Sequence, residues 1–232
     1  MLFNKPVRAI DFSKPFVVLN FKTYKESAGN NALRLAQIAE KVQKTTKINI
    51  IVCVNHIDLK EVCSKVKIPV FAQHIDNKEA GKSTGSVIVE DLLGDNVKGS
   101  LLNHSEKKIP VKDITSVVTK LKEYNMISIV CASNYTEAKQ IAKIKPIVPT
   151  LIAVEPPELI GGEKSVSQSK PEVIPRSVKA CGNIPVLVGA GIKSNEDLKI
   201  ALQHGAKGVL LASHFVLSND PEKFLKDLIK DI

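Results

Sequence analysis

Eight short apolar runs punctuate the chain: PFVVLN, INIIVCV, IPVFAQ, KGSLLN, MISIVC, TLIAVE, IPVLVG and KGVLLA. They are mostly rich in Val, Ile and Leu, and they alternate poorly between apolar and polar residues. A strand that is apolar on both faces needs cover on both faces, which is the situation of a parallel sheet. Parallel neighbours need a crossover, and the segments between most of the runs supply one. Leu35, Ile38, Ala39 and Val42 stand at helical spacing, as do Ile114, Val117, Val118 and Leu121, and again Leu225, Leu228, Ile229 and Ile232. Each set forms one apolar stripe on an otherwise polar helix. The pattern predicts an α/β fold and favours a (β/α)8 barrel, with a doubly wound open sheet as the alternative.

The 232 residues suit this reading, since a closed barrel of about 250 residues is a single domain. No linker or low-complexity tract divides the chain. Residues 1–15 read as an N-terminal extension and residues 16–232 as the barrel domain. No apolar run approaches the roughly 18 to 20 residues that cross a bilayer, so the expected location is the cytoplasm. The four cysteines, Cys53, Cys63, Cys131 and Cys181, form no C-x-x-C pair and read as buried free thiols. A formal charge of +9 suits nucleic acid or an anionic metabolite equally, but the lysines are dispersed and only seven Phe and three Tyr are available for stacking.

In a barrel, functional side chains gather at the C-terminal ends of the strands. The first run ends in Asn20 and Lys22, which point the same way along a strand with Phe21 opposite. Taken alone, Lys22 reads as a solvated loop lysine. The fourth ends in Asn103 and His104, before a polar stretch that resembles a helix start. A helix N-terminus there would disfavour imidazolium and keep His104 neutral. His56, His74, His204 and His214 read as structural. The sixth run ends in Glu155, where a merely buried carboxylate would carry a large desolvation cost. Pro156 and Pro157 hold it at the rim, while Glu158 beyond them reads as a surface residue. Gly161, Gly162, Gly189 and Gly191 suit the close approach of backbone to phosphate, with Ala212 and Ser213 ending the eighth run.

Three motif matches fail. GKSTG, Gly81 to Gly85, has the letters of a nucleophile elbow, but HIDNKEA separates it from its strand. The same GKS lacks the first glycine of a Walker A loop, and GAGIKS lacks the third glycine of a dinucleotide fingerprint.

In order, NFKTY, NHSE, AVEPPELIG, GAGI and GVLLAS resemble triosephosphate isomerase, and its archaeal form more closely than the bacterial or eukaryotic one. The resemblance extends from about Phe16 onward. It implies a single-domain TIM barrel that interconverts dihydroxyacetone phosphate and glyceraldehyde 3-phosphate through an enediolate. It makes Glu155 the base, His104 the electrophile and Lys22 the charge that offsets substrate and intermediate. Asn20, Ile160, Gly191, Ala212 and Ser213 match substrate-binding positions. No metal or organic cofactor is implied, and the only partners are the phosphorylated triose and further copies of the chain, as a homodimer or homotetramer. Neither nucleic acid nor membrane is expected as a partner. The segment from Pro156 matches a lid that usually reads I-G-T-G, where this chain has Ile160, Gly161, Gly162 and Glu163. The GKSTGS loop matches a segment that reaches into a neighbouring subunit. Other phosphate-binding barrel enzymes share the glycine loops without the Asn20, Lys22, His104 and Glu155 set, and a nucleic-acid-binding module would show salt-sensitive binding instead.

Overall fold

A computed structural model describes residues 10–159 and 165–232, the side chain of Gln168 excepted. All eight apolar runs are strands: β1 (Phe16–Asn20), β2 (Asn49–Val54), β3 (Val70–Ala72), β4 (Gly99–Leu102), β5 (Ile127–Ala132), β6 (Leu151–Val154), β7 (Val186–Val188) and β8 (Gly208–Leu211). Each pairs in parallel with the next, and β1 pairs with β8, so the sheet closes. The open-sheet alternative is thereby excluded. At the seam Gly208 lies so close to β1 that a Cβ would sit 2.0 Å from the Phe16 carbonyl oxygen. Only glycine fits there.

The helices among the described residues are α1 (Asn30–Gln43), α2 (Leu59–Lys65), α3 (Val89–Leu93), α4 (Val111–Glu123), α5 (Tyr135–Ile141), α6 (Val166–Ser169), α7 (Val173–Cys181), α8 (Asn195–Gln203), α9 (Ser213–Val216) and α10 (Pro221–Leu228). The α4 stripe is buried throughout. In α1 Ile38 is only partly covered. The last stripe outruns its helix, because α10 stops at Leu228 and Ile232 packs from beyond it. None of these helices is long and apolar enough to cross a membrane.

Two apolar layers share the strands. Phe16, Val18, Ile51, Phe71, Leu101, Ile129, Leu151, Ala153, Leu187 and Leu210 fill the barrel interior. Val17, Leu19, Val52, Ile152, Val154 and Val209 face outward against the helices. The two-residue alternation of a strand therefore survives in a sequence that is apolar on both faces. Residues 10–15 cover the start of the barrel: Asn49 Nδ2 donates to the Asp11 carbonyl (2.8 Å), and the Phe12 and Phe16 rings lie 5.7 Å apart. All four cysteines are buried free thiols.

Candidate active site

Alternation along β6 decides where Glu155 points. Leu151 and Ala153 face the barrel interior, and Glu155 is the next residue on that face. Its N–H donates to the Ala132 carbonyl (2.8 Å), and Gly189 N–H donates to the Val154 carbonyl (2.9 Å), so the backbone is pinned on both sides. Glu155 is 7% exposed. Burial raises its pKa to about 7, against the pull of a hydrogen bond from the Cys131 thiol and of Lys22. Oε2 has no hydrogen-bond partner among the described residues. An unpartnered carboxylate oxygen at a cavity wall is costly for stability and available for chemistry.

Gly189 supplies the room. A Cβ there would stand 2.3 Å from Glu155 Cγ and 2.5 Å from Oε1. The expectation that Gly189 approaches phosphate is therefore replaced: its missing side chain accommodates the carboxylate. Gly191 is placed differently from Gly189. It lines the cavity, at a φ of 72° that it shares with Ala190.

The end of β4 works differently. Leu101 faces inward and Leu102 outward, so simple alternation would turn His104 away from the mouth. Asn103 breaks the alternation with a φ of 57°. Its amide holds that turn by donating to the Cys131 carbonyl and Glu137 Oε1 (2.9 Å each), while its Oδ1 accepts from Ile109 N–H (3.1 Å). His104 Nδ1 accepts a hydrogen bond from Glu106 N–H (3.2 Å), which places the ring proton on Nε2. Nε2 lies 3.7 Å from Glu155 Oε2. Burial lowers the His104 pKa; Glu106 opposes this, and Lys22 and Lys108 reinforce it. The expected neutrality stands, but its cause changes. Residues 105–107 form a turn and α4 begins only at Val111, so His104 does not stand at the start of a helix.

Asn20 and Lys22 converge as expected, again through a left-handed residue rather than a continued strand. Lys22 has a φ of 50°, and its N–H donates to Asn20 Oδ1 (3.0 Å). Its ammonium pairs with Glu106 Oε1 at 2.6 Å. Phe21 packs outward into the helix-facing core.

Asn20, Lys22, His104, Glu155, Gly191, Ala212 and Ser213 line one cavity at the C-terminal mouth. Sequence reasoning missed two neighbours. His214 lines the same cavity, and Glu106 touches both Lys22 and His104. Acidic Glu106 two residues after a candidate histidine was the available signal. Ile160, Gly161, Gly162 and Glu163 lie outside the described residues. Glu158 is exposed and paired with Lys170, as expected of a surface residue.

The family model described as triosephosphate isomerase matches residues 15–231. The chain is 48% identical over 223 residues to the triosephosphate isomerase of Methanothermus fervidus, spanning 94% of this chain and 99% of that relative. It is 44% identical to the enzyme of Methanothermobacter thermautotrophicus, over 94% of this chain and 96% of that one. The same identity holds for the Methanocaldococcus jannaschii enzyme, over 93% and 99%. All three relatives are archaeal.

Proposed function

This chain belongs to the triosephosphate isomerase family and interconverts dihydroxyacetone phosphate and glyceraldehyde 3-phosphate, and from that premise we propose that Glu155, His104 and Lys22 carry the reaction. The Glu155 carboxylate removes a proton from the carbon beside the substrate carbonyl. Negative charge builds on the carbonyl oxygen, where the Nε2–H of neutral His104 donates a hydrogen bond. Glu155 then returns the proton to the neighbouring carbon, and His104 helps move the proton between the two oxygens. Lys22 offsets the charge of substrate and enediolate, while Asn20 fixes the substrate beside it. Gly191, Ala212 and Ser213 hold the phosphate end, joined by Ile160.

The observation that supports this reading best is the buried carboxylate of Glu155, with one oxygen unpartnered and 3.7 Å from His104 Nε2. A base whose pKa lies near 7 combines a large ionised fraction with a strong pull on the proton. A coupled assay with glyceraldehyde 3-phosphate tests it directly. Glu155→Gln should lose at least about a thousandfold in kcat, roughly 4 kcal/mol of barrier. Near-normal turnover would remove Glu155 from the role.

The same reading gives the chain a cytoplasmic place in glycolysis and gluconeogenesis, with residues 16–232 as the catalytic domain. Four buried free thiols suit a reducing compartment. It also makes the enzyme a homodimer or homotetramer. A cavity of about 240 Å³ opens beside the site between Asn20, Lys22, Asn55, His74 and Val87. The exposed Gly81–Ser86 loop of a second copy is its proposed occupant. Sedimentation that finds only the 25.3 kDa monomer at working concentration refutes this part.

A further inference from the structure

A carboxylate with no part in the chemistry sits at the centre of a second buried network. Asp197, in the first turn of α8, is 0% exposed. It forms a capping box with Ser194: Ser194 Oγ accepts from Asp197 N–H (3.2 Å), and Asp197 Oδ2 accepts from Ser194 N–H (3.0 Å). Such a box needs nothing more. Here Oδ2 also accepts from Lys193 N–H (3.0 Å) and Ser194 Oγ (2.9 Å). The other oxygen, Oδ1, accepts from the hydroxyl of Ser165, 32 residues earlier in the chain. The Asp197 carbonyl accepts from Ser167 Oγ (3.0 Å).

Two distant pieces of backbone are thus tied by one residue. The first is the start of α6, where Ser165 and Ser167 are buried and Val166 N–H donates to the Ala190 carbonyl (3.1 Å). The second is the loop from Ala190 to Ser194, which carries two successive positive-φ residues, Ala190 and Gly191, at the cavity wall. A loop in that conformation is costly to hold without fixed partners. Helix capping alone explains the Ser194 contacts. It does not explain a buried carboxylate oxygen spent on a serine from another element.

We propose that Asp197 is a positioning residue that clasps Ser165 and Ser167 to the Ala190–Ser194 loop, and thereby sets affinity for the phosphate end of the substrate. This rests on the reading of Gly191, Ala212 and Ser213 as the phosphate site. Removing the carboxylate frees the loop without touching Glu155 or His104. The loss falls on binding rather than on the chemical step.

The test compares KM, kcat and the competitive inhibition constant of inorganic phosphate. Asp197→Ala should raise KM and the phosphate constant together by about tenfold, with kcat within about threefold of wild type. Ser165→Ala should give a smaller change of the same kind. Because Asp197→Ala already removes the acceptor of the Ser165 hydroxyl, Ser165→Ala should have a smaller effect in that background than in the wild type. If Asp197→Ala does not fold, the Ser165→Ala and Ser167→Ala double variant takes its place, with a smaller rise of KM and the phosphate constant together, because Asp197 keeps its bonds to Lys193 and Ser194. A lower melting temperature with an unchanged phosphate constant overturns the proposal, as does full additivity of Ser165→Ala. Ser213→Asp separates the two readings. Weakened phosphate inhibition in that variant, with none in the Asp197 or serine variants, leaves the phosphate site standing and removes the clasp. An unchanged constant in Ser213→Asp removes both.

Discussion

The ends of β6 and β4 bring their functional residues to one mouth by opposite means. At β6 the strand's own alternation delivers Glu155, two residues beyond Ala153 on the inward face. At β4 the alternation has to be broken, and left-handed Asn103 breaks it so that His104 turns inward. The first arrangement is rigid and periodic. The second is a special backbone position secured by three side-chain hydrogen bonds. A periodic element needs only space around its side chain, whereas a turned one needs a residue that tolerates positive φ.

Two substitutions away from the reacting groups break that contrast. Gly189→Ala attacks the β6 side by placing a Cβ 2.3 Å from Glu155 Cγ, so the carboxylate must move. A displacement near 1 Å of a reacting group costs on the order of a hundredfold, and that is the expected fall in kcat/KM. An unchanged rate would mean that the position of the carboxylate is not tightly set. Asn103→Ala attacks the β4 side. Alanine lacks the polar side chain that lets asparagine occupy the left-handed region, a conformation that otherwise costs about 1 to 2 kcal/mol, so kcat/KM should fall about tenfold. Asn103→Gly should recover only part of that loss, since glycine holds the same φ freely but leaves the three side-chain hydrogen bonds unmade. Equal losses in both variants would assign the orientation of His104 to the Asn103 amide instead.

The same contrast explains what was legible in the sequence. Strand positions were readable because burial on both faces leaves continuous Val, Ile and Leu runs, and the closed barrel followed from their number and the helices between them. Glu155 was readable because it ends the sixth apolar run, where a merely buried carboxylate would be costly. His104 and Lys22 were found by type and place, but their orientation depends on φ values of 57° at Asn103 and 50° at Lys22, which no periodicity encodes. Residues that act through space left no pattern at all. Gly189 looked like a phosphate glycine and Cys131 like any buried thiol, while nothing in the sequence singled out Asp197. Each acquires its role from a neighbour far away in sequence.

The account turns on a carboxylate made basic by burial. The carbon-13 shift of the Glu155 side-chain carboxyl, assigned by its disappearance in Glu155→Gln, can be followed against pH in the free enzyme. Burial disfavours the charged form, so the proton should be retained up to a midpoint of about 7, with the ionised base dominating above it. A midpoint at the ordinary value of 4.5 would contradict the account.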